Sequence, residues 1–490
     1  MKRRSFFFVL VMVFCIFLFT SSVSLAAEIS SIVFNDGSDK EITDFRKTYI
    51  SNKNIINITV EFDYENEDDA EVSTVKIGSI EEYPGYADEV TFEDFELGSG
   101  VNSLTVELID EDGKSVKQNI KIDYSGSFLV SGSEYKGDIS SDAGLSVFKD
   151  DITLNFTKGN YVVDASGETI ENNIVLFKVY KSDNSDQSLK FSQPLSNWVG
   201  IYSDDDEGDN FVYPGTISLK YTQDSIELSP SLITILFQQE GTSEWKNIGA
   251  VVDSKKKTAT ATFQGFGKYG VFLRSRNFVD FNWSRPFAEA LWAKGIMKTR
   301  NAVGDVIADS QSGEVYLGLT QPSTRSDYAS MIVKGLGLTL VAGANTENRF
   351  SDLQDRNDID GDGDIVEDHP CKQEILTAAA YGIMEGRTDG TFDPDGDLTR
   401  EQAAVVVARV SNLTLILDND KVDTELKRIF KDTADYDLIS EWARPYVLAC
   451  VKAKIIVGSG TPIKYNAQDP LTRDAAAKFV YNIMKEKKLI

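Results

Sequence analysis

Histidine, cysteine and positive charge are scarce in this sequence, and each scarcity removes a class of function. The one histidine, His369, would have to serve any Ser-His-Asp or Cys-His arrangement. There is no phosphate loop, no HExxH and no Gly-rich dinucleotide fingerprint. The formal net charge is −27, which excludes the basic footprint that nucleic acid demands. Of the three cysteines, Cys15 lies in the leading apolar segment. Cys371 and Cys450 each lie in an apolar helical stretch and read as two buried thiols, so a disulfide scaffold is excluded.

Long apolar runs are also missing after the first 27 residues. None approaches the roughly 20 residues that a bilayer span needs. Residues 1–27 themselves read as a secretory signal: Lys2, Arg3 and Arg4, an apolar stretch from Phe6 to Phe19, then Ser24-Leu25-Ala26 as a cleavage site. Its removal would lower 50 basic residues to 47, against 77 acidic ones. The expectation is soluble export, with no membrane partner after cleavage.

What is present falls into two kinds of pattern. Residues 28–125 alternate: Ile56, Ile58, Val60, Phe62 and Tyr64, then Leu104, Val106 and Leu108, the period of half-buried strands. Asp112-Gly113, followed by Ile120, Ile122 and Tyr124, predicts a hairpin. Residues 126–276 continue with Ile152-Leu154-Phe156, Ile174 to Tyr180, Ile217-Leu219-Tyr221 and Ile233 to Phe237. Gly265, Gly267 and Gly270 suit turns or close backbone approach. The acidic runs Glu65 to Asp69 and Asp204 to Asp209 read as solvated loops, with calcium sites as the alternative.

From residue 277 the pattern changes to helix and loop, repeated three times over 277–345, 346–420 and 421–490. Each repeat contains a Thr-Arg pair: Thr324-Arg325, Thr399-Arg400 and Thr472-Arg473. Apolar residues follow at helical spacing: Tyr328, Ala329, Met331 and Ile332; Ala403, Ala404, Val406 and Val407; Ala476, Ala477, Phe479 and Val480. Threonine then reads as the N-cap, its hydroxyl on a free N–H of the first turn. The N3 residue is Asp327, Gln402 or Ala475, so the second copy fits a capping box and the third lacks one. Arginine at N1 opposes the helix dipole. Either an anion captured at the helix start explains it, or an acidic side chain of the neighbouring repeat pairs with each arginine.

Upstream, each repeat carries Phe-x-Asp: Phe278 and Asp280, Phe350 and Asp352, Phe430 and Asp432. Trp283-Ser284-Arg285-Pro286 and Trp442-Ala443-Arg444-Pro445 open helices, proline suiting the first turn. Gly295-Ile296 and Gly382-Ile383 end helices, with Lys454-Ile455 in the third copy. The second repeat runs on from Gly382 through Gly386, Phe392 and Pro394 to Leu398-Thr399-Arg400.

In this order the motifs resemble the S-layer homology domain. The stretch 28–125 is similar to bacterial immunoglobulin-like modules, and 245–271 to a β-module that often precedes such repeats. The resemblance implies a multidomain chain, with all-β sandwich modules before a mostly α three-repeat unit that has a pseudo-threefold centre of three helices. It also implies non-covalent anchoring to an anionic, often pyruvylated, secondary polysaccharide attached to peptidoglycan. Carried onto this chain, Thr324, Arg325, Thr399, Arg400, Thr472 and Arg473 would form the polysaccharide sites, with Gly382, Gly386, Trp283 and Trp442 in the grooves. Three departures qualify it, so that not all three grooves need be functional: the family's acidic residue is Asp327 in the first copy but Gln402 and Ala475 in the others, the second repeat lacks the tryptophan, and the first carries about 11 extra residues near Asn301 to Val315.

Asp358, Asp360, Asp362 and Asp364, with Gly363 at position 6, match the first part of an EF-hand calcium loop. Position 12 is His369, with Asp368 one short. Calcium binding and an acidic surface insertion are the two readings. His369 beside Pro370 reads as a helix-entry residue. The whole chain reads as a non-enzymatic, exported, S-layer-like surface protein that could also pack with itself in a lattice. The rivals are an adhesin or carbohydrate-binding protein on the same anchor, and a wall-anchored glycoside hydrolase, which needs only two carboxylates.

Overall fold

A computed structural model of the chain describes residues 27–490, apart from 65–70, 125–130, 140–143, 206–209, 223–228, 342–348, 354–368 and scattered one- or two-residue gaps that include 281, 432 and 459. Residues 1–26 of the signal segment, both acidic runs except Asp204 and Asp205, and the aspartates 358, 360, 362, 364 and 368 lie outside the described residues. No helix among those described is long and apolar enough to cross a membrane.

The chain divides into two compact units, residues 1–125 and 126–490. In the first, alternation puts Ile56, Ile58, Val60 and Phe62 inside, on the strand Ile55–Tyr64 of a sheet with Ala27–Asn35, Asp39–Glu41 and Glu89–Glu96. A second sheet contains the expected hairpin, Gly100–Asp110 paired antiparallel with Ser115–Tyr124. Gly113 takes the positive φ of its turn (+80°). Thr48–Ser51 pairs parallel to the last strand. The buried faces hold Val106, Leu108, Ile120 and Ile122 on one sheet and Ile58, Val60 and Phe92 on the other, the layering of a sandwich.

The second unit begins with a large sheet in the order Glu134–Asp138, Ile174–Tyr180, Trp198–Ser203, Gly267–Arg274, Ile233–Gln239, Trp245–Gly249. A five-stranded sheet that includes Ile152–Asn155, Thr216–Lys220 and Thr258–Thr262 accompanies it. Gly267 is a close-approach glycine, since a Cβ there would lie 2.2 Å from the Gln238 carbonyl.

These strands and the first helical repeat are continuous. Lys294, buried where helix Arg285–Ala293 ends, donates to the carbonyls of Ile233 (2.5 Å) and Ala250 (2.6 Å). Arg274 pairs with Asp309 at 2.8 Å and covers the Trp292 ring at 4.1 Å. A charge buried with several acceptors is costly to strip of them. Lys294 therefore ties the strands to the repeats.

The repeats place helices Arg325–Gly335, Arg400–Val410 and Arg473–Glu486 at the centre. Their apolar stripes are buried as the spacing predicts: Tyr328, Ala329 and Met331, Ala403, Ala404 and Val407, Ala476 and Ala477 are all 0 % exposed. Gly335 permits the close helix contact, because a Cβ would meet Val480 at 3.0 Å. Cys371 and Cys450 are buried and unbridged, and burial pushes the Cys450 thiol up to about 12.

A closed ring of three backbone hydrogen bonds marks the pseudo-threefold centre. Ser323 N–H donates to the Leu471 carbonyl (2.7 Å), Leu471 N–H to Leu398 (2.7 Å), and Leu398 N–H to Ser323 (3.1 Å). Each residue lies directly before a Thr-Arg pair and is wholly buried. The three residues are more than 70 positions apart in the chain, so only the mutual closure of the repeats satisfies these groups.

Candidate functional site

Each groove is assembled from two repeats, and the Phe-x-Asp motif supplies its scaffold. Asp280 accepts from the N–H groups of Leu317 and Leu319 (both 2.8 Å). Asp352 does the same for Phe392 (2.9 Å) and Asp393 (2.7 Å). In the third repeat the acid is Asp435, which holds Tyr465 (2.6 Å) and Asn466 (2.7 Å). Asp432, expected from the motif, lies outside the described residues; the pattern of Phe plus two missed Asp435 because the short helix Thr433–Asp437 intervenes. The phenylalanine packs on the same loop: Phe350 on Phe392 (5.4 Å between centroids) and Phe430 on Tyr465 (5.7 Å).

A loop held this way points a carbonyl at the arginine of another repeat. Arg473 Nε donates to Leu317 (2.9 Å), Arg325 Nε to Phe392 (2.8 Å), and Arg400 Nε to Tyr465 (2.8 Å). The same loops occupy the helix starts. Arg325 and Ser326 N–H bond to Gly396 and Pro394, Arg400 and Glu401 to Asp469 and Ala467, Arg473 and Asp474 to Gln321 and Leu319. The first N–H donors are therefore unavailable to an external anion, which corrects the expectation of anion capture on bare helix termini. The neighbouring carbonyls also offset the unfavourable dipole at each arginine.

Beyond that common frame the three arginines differ. Arg473 is 0 % exposed; it forms a buried ion pair with Asp327 and donates to Lys298 O (3.0 Å). Arg300 approaches the same carboxylate at 3.8 Å. Arg473 thus cannot reach a polysaccharide, and its expected role as a contact is corrected to a lock between the third and first repeats. Arg325 is 8 % exposed, donates to Glu385 O (2.9 Å) and covers the Phe392 ring at 4.7 Å. Burial, with Arg387 close by, holds its pKa below the ordinary guanidinium value.

Arg400 is the open one. It is half-buried, donates through Nε, and has the Tyr465 ring at 5.4 Å. Among the described residues no carboxylate pairs with it. The cyclic step that brings Asp327 to Arg473 relates Gln402 to Arg325 and Ala475 to Arg400. Arg400 therefore faces an alanine position where Arg473 faces an acid.

The threonines act in part as expected. Thr324 accepts from Asp327 N–H, and Thr399 forms the full capping box with Gln402. Thr472 makes no cap bond; its hydroxyl donates to Asp474 instead. Gly382 ends its helix with φ +66°, and Gly295 does so with +73°. Lys454 adopts the same left-handed backbone, φ +59°, which costs a side-chain residue roughly 1–2 kcal/mol. Gly386 is a packing glycine, as a Cβ would lie 2.3 Å from Phe350.

Trp283 and Trp442 are 57 % and 54 % exposed, large rings held at the surface. The second residue of a central helix anchors each turn. Asn282 donates to Asp474 (2.9 Å), while Ser440 N–H (2.9 Å) and hydroxyl (2.8 Å) donate to buried Glu401. Trp442 is thereby fixed to the helix that begins with Arg400. Glu401 and Asp474 were not singled out from sequence, although acids at N2 were visible there. His369 behaves as a helix-entry residue, its Nδ1 accepting from Cys371 N–H (3.1 Å).

Residues 363–404 match the S-layer homology domain. An amylopullulanase of Thermoanaerobacterium thermosulfurigenes is 23% identical over 260 residues, 52% of this chain and 12% of that protein. The S-layer protein sap of Bacillus anthracis is 29% identical over 105 residues, 21% of this chain and 11% of that protein. An endoglucanase of a Bacillus species is 23% identical over 203 residues, 41% of this chain and 18% of the enzyme. The chain therefore spans less than a fifth of each of these relatives. A solved structure of carbohydrate-binding modules from the β-sandwich superfamily aligns with 45% of this chain and 86% of its own at 12% identity, with a TM-score of 0.12, a value on which no argument rests.

Proposed function

With an S-layer homology domain in its helical part, we propose that this chain is a cell-surface protein anchored non-covalently to the cell wall through an anionic secondary polysaccharide. The groove of Arg400, Tyr465 and Trp442 is the principal contact. The observation that carries this is the half-buried guanidinium of Arg400, aimed by the Tyr465 carbonyl and flanked by its ring, with no carboxylate paired to it among the described residues. A fixed guanidinium suits a carboxylate through paired N–H donors. Trp442, exposed in the turn that Ser440 bonds to Glu401 of the Arg400 helix, offers a face on which a sugar ring can stack.

Arg325 contributes a weaker, narrower groove, and Arg473 acts only as internal structure. The role is binding, and no reaction is assigned to the chain. A pyruvylated ketal is the finer proposal for the anion, since its carboxylate projects from a sugar ring. Co-sedimentation of the full chain with wall sacculi tests the reading. Arg400→Ala should weaken retention about tenfold at unchanged melting temperature, and chemical stripping of the secondary polymer should abolish retention of the unaltered chain. Equal retention of Arg400→Ala and the unaltered chain would refute it.

A further inference from the structure

Far along the chain from the Thr-Arg motifs, the large sheet of the second unit has a cavity of about 470 Å³ on its outward face. Its floor follows from register. On three adjacent strands Lys178, Gly200 and Lys268 stand directly opposite one another. Strands are about 4.8 Å apart, so the two lysine stems rise roughly 10 Å apart across a position without a side chain. Gly200 is required there: a Cβ would lie 2.4 Å from the Tyr202 ring and 2.7 Å from the Tyr180 ring. The glycine lets both rings close over the sheet.

The two rings line the cavity together with both lysines. Lys268 Nζ is 5.1 Å from the Tyr180 centroid, and burial raises the Tyr202 hydroxyl, which bonds to Tyr180. The Tyr202 phenol therefore stays a neutral donor. Among the described residues neither Lys178 nor Lys268 has a carboxylate ion-pair partner. Glu240 is the one acid among the described lining residues and lies exposed at the rim; Glu134, opposite Lys178 on the next strand, is outside the cavity. A site with two cations and one anion is unusual on a chain of net charge −27.

We infer that this cavity binds an acidic saccharide unit, its ring against Tyr202 and Tyr180 and its anionic group between Lys178 and Lys268. Flat aromatic faces accept the C–H side of a pyranose, and paired ammonium groups select the anion over a neutral hydroxyl. The volume is that of a small-ligand pocket, enough for one or two sugar units. This site is independent of the Arg400 groove.

The test uses the full chain carrying Arg400→Ala, which weakens the proposed anchor. It is presented with an immobilised panel of uronate, pyruvylated and phosphorylated saccharides and their neutral counterparts, and separately with purified wall polymer. The expected result is retention of at least one acidic member over its neutral counterpart. That retention should fall at least tenfold on adding Lys178→Gln and Lys268→Gln, and on adding Tyr202→Ala, each variant keeping the parent's melting temperature. Retention of the wall polymer would identify it as the source; retention of other acidic saccharides alone would identify a different one. No preference for any acidic member, or a preference that survives the lysine substitutions, overturns the inference. If the chain with native Arg400 loses wall retention only with the lysine variants, the anchor reading fails and this one stands.

Discussion

Arg400 and Arg473 begin equivalent helices, donate through Nε to equivalent carbonyls, and differ in what lies opposite. Asp327 closes the site of Arg473, which has no exposed surface. Ala475 stands at the corresponding place for Arg400, which stays half-open beside Tyr465. One side-chain carboxylate separates a buried lock from the half-open guanidinium of the proposed groove. A motif repeated three times need not mean three functional copies.

The largest effect that could break this comparison is on stability. Asp327→Ala leaves Arg473 buried and unpaired, and losing one partner of a buried pair costs about 3–5 kcal/mol. Urea unfolding followed by tryptophan fluorescence should show that loss, and an unchanged midpoint would mean that Arg473 is not a lock. Next comes a conversion of one site into the other. Ala475→Asp should draw Arg400 into a closed pair and reduce wall co-sedimentation about as much as Arg400→Ala, roughly tenfold, while stability changes by under about 1 kcal/mol.

Smaller effects separate the helix starts. Thr399→Ala removes a complete capping box and should cost about 1 kcal/mol. Thr472→Ala, whose hydroxyl caps no N–H, should cost distinctly less in parallel thermal denaturation. The smallest concerns the turn that leads into the Tyr465 side of the open groove. Lys454→Gly relieves a left-handed backbone and should stabilise the third repeat by about 0.5–1 kcal/mol; a lower melting temperature would contradict the strain.

Much of this was legible in the chain itself. Helical spacing after each Thr-Arg pair gave the buried stripes, and alternation gave Ile56 to Phe62 as a core strand. The S-layer homology pattern in the second repeat agrees with the match over residues 363–404. Within the site, the positions of Arg400 and Trp442 were readable but their partners were not. Asp435 was missed because an inserted helical turn shifted it by three residues. The occupation of the helix-start N–H groups was missed because their acceptors, such as Gly396 and Asp469, lie about 70 residues from the helices they cap. The cavity of Tyr202 and Lys268 had no motif, since its residues come from strands that only the sheet makes neighbours.

Period and punctuation determined the elements by themselves: strands before residue 277, helices and loops after it, caps at Thr324 and Thr399, and turns at glycine. Those depend on backbone and side-chain preferences within a few residues. Tertiary structure alone decided which charges meet. Whether a guanidinium is a lock or a ligand depends on the dielectric around it and the acid across from it. The ring of bonds among Ser323, Leu398 and Leu471 fixes both by setting each repeat against the next.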